Sequence, residues 1–275
     1  MADMAHELLD HWCDSHIHWT WPDFVSENDG LRQDLRNKAE LAGIKSWLEI
    51  GYHSQQWQNQ LDYFADDLQV YHALGWHPLY LPKSLQVTDL ELDCLADLLT
   101  LPSVKAVGEI GLDFYAKLDT KEVTFQQQAF EAQLDLAKSF DLPLVLHLRR
   151  SHEQALKSLK AYFPKGWKGV AHAFSGSYEQ AKQFVDLGFK VGIGGAAVRP
   201  SSKKGRRLIE QLALTDLILE TDAPFMPIDR QSSHVAFPSD LVEVGLKVAD
   251  YKGLESQQVK HVTSHNFYYL FGGDS

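Results

Sequence analysis

Short apolar runs alternate with amphipathic helical segments along almost the whole of this 275-residue chain. Some runs, such as Leu144-Val145-Leu146 and Leu217-Ile218-Leu219, are apolar at every position, which is typical of strands buried on both faces of a parallel sheet. The pattern predicts eight strands, at Trp12–His16, Ser46–Ile50, Tyr71–Gly75, Val104–Glu109, Leu144–His147, Gly169–His172, Lys190–Ile193 and Leu217–Glu220.

The segments between the predicted strands have the apolar spacing of helices. The clearest of them, Thr124–Phe140, carries one continuous apolar stripe. Two further segments, Ser151–Tyr162 and Ser177–Leu187, each begin at a serine, a residue that commonly caps the first turn of a helix. We therefore predict both serines as N-caps.

Eight strands that alternate with helices over this length predict an α/β fold, a (β/α)8 TIM-type barrel. The alternative is a doubly wound open sheet, which is less favoured because no Gly-x-Gly-x-x-Gly segment follows the first strand. No repeat, low-complexity linker or break in composition divides the chain. We therefore predict a single domain over residues 1–275, with 44% apolar residues available for its core.

The composition excludes some classes of protein. The formal net charge of −11 argues against a protein that coats DNA electrostatically, although bound cations can still make a site that acts on phosphates. Cys13 and Cys94 are too few for a disulfide framework. Residues 1–7 lack the features of a signal peptide, and no apolar run is long enough to span a membrane. These features predict a soluble, cytoplasmic protein.

A cluster of metal-ligand residue types, Asp14-Ser15-His16-Ile17-His18, lies at the end of the first predicted strand. Residues two apart on a strand point to the same side, so Asp14, His16 and His18 are expected to face one side together. Two imidazoles at this spacing can bind one metal ion, and we predict that the Asp14 carboxylate orients a ring nitrogen.

Further ligand-type residues follow the later strands. Glu109 ends the fourth predicted strand, His147 the fifth and His172 the sixth, and Asp222 follows the eighth. The carboxyl ends of all barrel strands open on one face, so these residues are expected to meet His16 and His18 there. Four imidazoles and two carboxylates exceed the four ligands of a closed structural site. They suit two open ions, about 3.5–4 Å apart, that share a bridging carboxylate and a water.

The motifs in combination resemble those of the TatD family of metal-dependent hydrolases and deoxyribonucleases, in the amidohydrolase superfamily. The resemblance extends from Asp14 to Phe271. It is carried by Asp-Ser-His-x-His, Gly-Glu-Ile-Gly-Leu-Asp, Pro-Leu-Val-Leu-His-x-Arg, Glu-Thr-Asp-Ala-Pro and a terminal segment with an asparagine at Asn266.

The resemblance implies a somewhat distorted barrel with a two-metal site. It assigns His16, His18 and Asp222 to one ion and His147 and His172 to the other, with Glu109 shared. The mixed ligands suit Zn²⁺, Mn²⁺, Ni²⁺ or Fe²⁺, and Mg²⁺ is a further candidate for phosphate chemistry.

Strand four separates branches of the superfamily. Relatives such as phosphotriesterases place a carboxylated lysine there, whereas this strand ends in Glu109 and Lys105 lies four residues earlier, which favours the TatD branch. The chain departs from the family at Trp19-Thr20, where an acidic residue is usual, at Ile228–Pro238, where an Arg-Asn-Glu-Pro run is usual, and at Ala173, where cysteine is usual.

These observations predict a divalent-metal-dependent deoxyribonuclease that hydrolyses phosphodiester bonds with a metal-activated water. Glu109 and Asp222 are the predicted catalytic residues, and Asp222 is expected to accept the water proton and pass it to the leaving oxygen. DNA with single-stranded or frayed ends is the expected substrate, with no membrane and no obligate protein partner.

Two alternative functions remain open. One is a hydrolase of the same metal design that acts on a small amide, lactone or phosphoester. The other is a non-catalytic nucleic-acid-binding protein with a vestigial metal site. A broad groove lined by arginine and aromatic side chains favours a polymer as substrate, and a closed cup favours a metabolite.

Substrate contacts are predicted at His77 and Arg149. His77 lies in a Gly-Trp-His-Pro segment after the third strand, where it either contacts substrate at the mouth or forms a hydrogen bond within the turn. Arg149 follows His147 by two residues and either clamps a phosphate or pairs with a carboxylate.

A basic run and several aromatic residues also lie near strand ends. The run consists of Arg199, Lys203, Lys204, Arg206 and Arg207, and a solvated helix face is favoured for it over a nucleic-acid contact. The aromatic residues are Trp19, Trp21, Trp76, Phe174 and Phe225. Each can stack a base of a single strand, although core packing or loop anchoring is favoured for any one of them.

Overall fold

Eight parallel strands form the centre of the molecule, paired in chain order from β1 to β8. The computed structural model describes residues 10–24, 30–229 and 235–272. The strands are β1 Trp12–Ile17, β2 Ile44–Ile50, β3 Val70–Leu74, β4 Val104–Asp113, β5 Leu144–Arg149, β6 Gly169–Ala171, β7 Phe189–Ile193 and β8 Leu217–Leu219.

Helices connect successive strands and surround the sheet. They are α1 Gly30–Leu41, α2 Ser54–Tyr63, α3 Leu92–Leu98, α4 Thr120–Phe140, α5 His152–Tyr162, α6 Tyr178–Asp186, α7 Gly195–Val198, α8 Lys203–Gln211, α9 Asp240–Lys252 and α10 Ser256–Phe271, with short 3-10 turns at Pro22–Phe24, Val87–Leu90 and Leu214–Asp216. Within the described ranges, no helix is both long and apolar enough to cross a bilayer. Residues 1–7, on which the signal-peptide prediction depends, lie outside these ranges.

The sheet closes where β1 meets the segment that follows β8. The backbone N–H of His18 donates to the carbonyl of Ala223 at 2.9 Å, and the N–H of Asp222 donates to the carbonyl of His16 at 2.9 Å. The seam is also held by the Ser15 hydroxyl, which donates to the Leu219 carbonyl. Closure by residues beyond β8 gives the distorted TIM-type barrel that the sequence predicts, and it brings Asp222 against β1.

The C-terminal helix α10 closes the amino-terminal end of the barrel. Phe267 and Phe271 pack against the small apolar side chains of the barrel interior, among them Ala73 and Ala106. The Asn266 side chain donates to the carbonyls of Thr215 and Leu217, just before and at the start of β8. The barrel is therefore plugged at this end, and its interior is accessible at the carboxyl ends of the strands.

Every predicted strand is present, and the ends of each differ from the prediction by no more than two residues except in β4. β4 continues four residues past Glu109 to Asp113. α4 begins at Thr120 because the Asp119 side chain caps it with a reciprocal bond to Glu122.

One of the two serine caps is confirmed. The Ser177 hydroxyl accepts from the N–H of Gln180 in a capping box. The prediction for Ser151 is wrong, because its hydroxyl donates to the Leu112 carbonyl at 2.6 Å and so anchors the loop to β4. The side chain is thus turned toward the barrel and away from its own helix.

Candidate metal centre

The six predicted ligand residues meet at the carboxyl ends of the strands. The His16 Nε2 atom lies 3.3 Å from Glu109 Oε2 and 3.7 Å from Asp222 Oδ1. The His172 Nε2 atom lies 3.7 Å from Asp222 Oδ2, and the His147 Nδ1 atom lies 2.7 Å from Glu109 Oε1. The sixth residue, His18, belongs to the same cluster, with Nε2 3.6 Å from Asp222 Oδ1.

The donor atoms form three overlapping groups with a spacing that suits metal ligands. In each group the atoms lie within 4.8 Å of one another, and the groups are His16-His172-Asp222, His16-His18-Glu109 and His77-Glu109-His147. Glu109 belongs to two of them, as expected for a bridging carboxylate. The assignment of ligands to two ions stays a prediction. The resemblance places His172 and Asp222 on different ions, whereas in the structure these two residues belong to one group.

The imidazole of His18 is oriented as a ligand. Its Nδ1 lies 3.2 Å from the carbonyl oxygen of Ile50, a contact that requires an Nδ1–H donor. In the neutral ring the other nitrogen, Nε2, is unprotonated, and it faces the Nε2 of His16 at 3.3 Å. Two neutral ring nitrogens at this separation repel each other unless a proton or a cation lies beside them. This donor set, with its buried carboxylates, therefore fits a divalent metal ion.

His77, predicted as a substrate contact at the cavity mouth, lies deeper, among the residues of the cluster. Its Nε2 is 3.1 Å from His147 Nδ1 and 3.6 Å from Glu109 Oε1. Its Nδ1 accepts from the backbone N–H of Leu79, so the predicted bond within the turn is present. Burial lowers the pKa of His77 to about 3, which leaves a neutral imidazole. With Nδ1 as an acceptor, the neutral ring carries its proton on Nε2, which donates toward His147 or Glu109 and does not bind an ion. The depth of His77 was missed because sequence position alone does not give it.

A buried carboxylate stands behind His172. Glu220 Oε2 lies 3.1 Å from His172 Nδ1, on the side of the ring opposite the cluster. The other oxygen of Glu220 accepts from the backbone N–H of Ala173 at 2.7 Å. Ala173 has a φ of 41°, a left-handed conformation that this bond helps to hold. Glu220 thus places a carboxylate against the ring and bonds to the turn that presents it.

Asp113 has the same relation to His147. Its Oδ2 lies 3.0 Å from His147 Nε2, and its Oδ1 accepts from the N–H of Tyr115. Asp113 is part of the Gly-Leu-Asp motif, but the sequence gives no sign that β4 continues to it. Carboxylates behind metal-binding histidines fix the tautomer and increase the basicity of the ligand.

The predicted role of Asp14 is wrong. Its carboxylate accepts from the backbone N–H groups of His16 and Thr221 and from the Thr221 hydroxyl, at 2.6–3.1 Å, and it contacts neither imidazole of the His-x-His pair. β1 is irregular between Asp14 and Ile17, so the strict alternation of side chains is lost. Asp14 joins β1 to the segment after β8 and so holds the seam.

The carboxylates of the cluster stabilise the protonated, positively charged form of two of its imidazoles. Burial by itself lowers the pKa of an imidazole, but bonds to Asp113 and Glu109 outweigh burial and raise the pKa of His147 to about 9. For His172 burial is outweighed by the charge of Glu220 and the neighbouring carboxylates, and the pKa rises to about 10. The cluster therefore attracts cations, and protons compete with metal ions for the same nitrogens.

A cavity of about 670 Å³ lies over the cluster and opens to solvent. Trp21 and Phe225 line it, whereas Trp19 and Trp76 are buried in the core as favoured from sequence. Phe174 lines the cavity but is largely buried. The cluster is thus reached through an open cavity whose lining is partly aromatic.

Arg149 lies at the edge of this cavity. Its guanidinium stacks on Tyr115 at 3.7 Å, and one nitrogen lies 3.8 Å from Asp113 Oδ2. About half of the side chain is exposed, at 48%. The carboxylate partner considered from sequence is present, and the phosphate contact stays a prediction.

The basic run is largely a solvated face, as favoured from sequence. Lys203, Arg206 and Arg207 on α8 are exposed, and Arg206 pairs with Glu210. Lys204 differs, since its ammonium donates to the Ser175 carbonyl and the side chain lines the cavity.

At the first departure from the family, Trp19-Thr20, the chain is bonded to a carboxylate of a neighbouring strand. Glu49, at the end of β2, accepts from the backbone N–H groups of Trp19 and Thr20 and from the Thr20 hydroxyl, at 2.6–3.0 Å. In the second departure, Ile228–Pro238, residues 230–234 lie outside the described part of the chain.

Comparison with known proteins identifies the family. The sequence matches the family model of TatD related DNase over residues 13–272. The chain belongs to this family. It is 34% identical to an uncharacterized metal-dependent hydrolase of Escherichia coli K12, YjjV, with 94% of this chain and 96% of that protein covered. It is 30% identical to a Citrobacter koseri protein named 3'-5' ssDNA/RNA exonuclease TatD, with 93% and 97% covered.

A solved structure supports the same assignment. The crystal structure of YjjV, a TatD homolog from E. coli K12, matches this chain with a TM-score of 0.85 at 30% identity, and covers 97% of this chain and 100% of that one. A TatD family hydrolase from Entamoeba histolytica, at 19% identity and a TM-score of 0.82, shares the fold. The predictions of a TatD-family metal-dependent hydrolase and of a TIM-type barrel are thus confirmed.

Proposed function

We propose that this protein hydrolyses phosphodiester bonds of DNA at a site that holds two divalent metal ions. The observation that supports this most is the convergence of four imidazoles and two carboxylates on the floor of an open cavity. The name of the Citrobacter koseri relative, a 3'-5' ssDNA/RNA exonuclease, supports nucleic acid as the substrate class, with single strands or frayed ends preferred.

The ligands of the two ions are proposed to be the predicted six residues, with Glu109 shared. His77 lies beside them, but its Nδ1 accepts from the Leu79 N–H, so the neutral ring carries its proton on Nε2 and donates toward Glu109 or His147. Divalent ions at such a site polarise a phosphoryl oxygen and make water a stronger nucleophile near neutral pH. Zn²⁺, Mn²⁺, Ni²⁺, Fe²⁺ and Mg²⁺ all remain candidates, because mixed nitrogen and oxygen ligands accept each of them.

Asp222 is proposed to accept the proton of the attacking water and to return it to the leaving oxygen. Its carboxylate is buried at the floor of the cavity, and neighbouring imidazoles overcome the effect of burial and lower its pKa, so it is ionised and can accept a proton. Glu109 is proposed to hold the ions in place, since burial is outweighed by the surrounding imidazoles and its pKa is well below the usual value.

Two observations favour this function over its alternatives. The open, aromatic-lined cavity suits a chain better than a small amide, lactone or phosphoester, which a closed cup would hold. The presence of every predicted ligand in one buried cluster disfavours a vestigial site. The cytoplasmic location and the lack of an obligate protein partner stay predictions.

The test is hydrolysis of single-stranded DNA, single-stranded RNA and a panel of small phosphodiesters, lactones and amides by the purified protein. We expect cleavage of nucleic acid that is abolished by chelator and restored by individual divalent metals. Turnover of a lactone or amide without cleavage of nucleic acid under any metal would favour the alternative hydrolase. Binding of DNA without any turnover would favour the non-catalytic alternative.

A further inference from the structure

Four aromatic side chains form one side of the cavity mouth, and the proposed metal chemistry leaves them without a role. This aromatic wall consists of Trp21, Tyr52, Tyr80 and Phe225. Ring centroids are 4.9 Å apart for Trp21 and Phe225, 5.1 Å for Trp21 and Tyr52, and 4.8 Å for Tyr52 and Tyr80. The rings come from four separate loops, after β1, β2, β3 and β8, so the wall exists only in the folded barrel.

The aromatic wall adjoins the metal centre directly. The His18 ring lies 5.4 Å from Phe225, 6.1 Å from Tyr52 and 6.2 Å from Trp21, measured between centroids. A group bound at the metal centre therefore has the wall as its neighbour on this side. A substrate whose reacting phosphate is joined to a planar ring can place both at once.

The wall is open to solvent on its outer side. Phe225 is 38% exposed and Tyr80 is 39% exposed, while Tyr52 behind them is buried. Leu79 and Met226 are exposed on the same rim. Large apolar side chains grouped at a cavity mouth are typical of a surface that binds something.

The wall is also uncharged. Burial is the main cause that raises the pKa of Tyr52 to about 12 and that raises the pKa of Tyr80 above its ordinary value. Both phenols are therefore neutral near pH 7 and do not repel an anionic substrate. The neutral aromatic faces suit a planar ring better than a second phosphate.

We propose that the aromatic wall stacks one unpaired base of the nucleotide strand whose phosphate lies at the metal centre. The inference rests on the proposed function, because the phosphate anchors the base beside the wall. Stacking of bases on aromatic side chains tolerates any sequence, since every base has a π-face. Inside a duplex, both faces of a base are covered by its neighbours, so a base must leave the stack before it can reach the wall. The wall thus selects single-stranded ends.

The test combines variants of the protein that lack one ring of the wall with substrates that lack one base. Trp21→Leu and Phe225→Leu remove the rings nearest to His18, and Tyr269→Leu, at an exposed aromatic of α10, is the matched control. Each protein is assayed on a single-stranded oligonucleotide and on versions with an abasic residue at each of the last three positions from either end. Thermal unfolding and metal content verify that each variant is folded and loaded.

For the native protein, we expect an abasic residue at one position to raise KM by roughly tenfold. For Trp21→Leu, KM on the intact strand rises by a similar factor, and the same abasic residue then has little further effect. This non-additivity is the signature of a direct contact between ring and base. Phe225→Leu shows the same pattern, and Tyr269→Leu behaves as the native protein. The native preference for single-stranded over blunt duplex ends falls in both wall variants.

The outcomes distinguish this inference from the proposed function. If the native protein cleaves DNA and the wall variants match Tyr269→Leu, the wall has no part in binding and only this inference is wrong. The inference is also wrong if ring loss and base loss are additive at every position. If the native protein neither binds nor cleaves DNA with any metal, the proposed function and this inference both fail.

Discussion

Asp222 occupies a backbone conformation that few residues adopt. Its φ is 56°, in the left-handed region, and its N–H donates to the His16 carbonyl across the barrel seam. The same residue presents its carboxylate to the imidazoles of His16, His18 and His172. The strained backbone is held by the seam, so the position of this carboxylate depends on closure of the barrel.

Asp222→Asn is expected to lower kcat on single-stranded DNA by about 10²–10⁴-fold, because an amide cannot accept the water proton. The side chain keeps its size, so thermal unfolding should change little. The measurement is a single-turnover rate with each metal in excess. A rate equal to that of the native protein would exclude Asp222 as the proton acceptor.

Glu220→Gln is expected to weaken metal binding by about 10–100-fold, because the amide no longer provides a carboxylate at both His172 Nδ1 and the Ala173 N–H. Metal titration by calorimetry measures the change directly. Glu210→Gln, on the solvent face of α8, is the control and should leave the affinity unchanged. Equal affinities in the native protein and in Glu220→Gln would mean that Glu220 does not act through His172.

The two thiols are expected to differ strongly in reactivity. Cys13 is buried in the barrel interior, and burial raises its pKa to about 12, so almost no thiolate forms near neutral pH. Cys94 is exposed on α3. A thiol reagent should modify one cysteine per native chain quickly and the second only after denaturation. Rapid modification of both would show that the barrel interior opens readily.

At the scale of elements, β7 and the segment after β8 pack closely because the β7 residue at their contact, Gly192, has no side chain. A Cβ atom at Gly192, on β7, would lie 2.4 Å from Glu220 Oε2. The glycine therefore leaves the space in which the Glu220 carboxylate reaches His172. The requirement comes from a neighbouring strand, and nothing in the local sequence of β7 reveals it.

Gly192→Ala is expected to destabilise the fold by about 1–3 kcal/mol and to weaken metal binding, because the added methyl displaces Glu220. Denaturant unfolding and metal titration measure the two effects. Gly30→Ala, where a Cβ meets no atom within 4 Å, is the control and should be neutral or slightly stabilising. Retention of native stability and affinity by Gly192→Ala would show that Glu220 is free to move.

At the scale of the whole molecule, the metal centre joins parts of the chain that are far apart in sequence. Its residues lie on or directly after β1, β4, β5 and β6 and in the segment after β8, and the barrel closes through the first and last of these. An ion held by His16 and Asp222 would join both edges of the sheet. Because an unfolded chain cannot assemble these ligands, metal binding favours the folded state.

Removal of metal by a chelator is expected to lower Tm by several degrees as well as to abolish activity. Addition of a divalent metal should restore both, and the rise in Tm should grow with metal concentration. His16→Ala, which removes a donor shared by two of the groups, should respond much less to chelator. Identical Tm values for the native protein with chelator and with metal would argue against binding at the buried cluster.

The sequence by itself determined the barrel and the members of the cluster. Continuous apolar strands that alternate with helices admit few architectures, and the carboxyl ends of parallel strands must meet on one face. For this reason His16, His18, Glu109, His147 and His172 could be brought together without coordinates.

The tertiary structure alone decided what these residues contact. The irregularity of β1 turned Asp14 to the seam, and the extension of β4 placed Asp113 behind His147. The depth of His77 and the meeting of Trp21 with Phe225 depend on how separate loops pack. Local sequence specifies which elements form and where they end, whereas contacts between distant loops follow from the closure and twist of the whole sheet, which no single segment encodes.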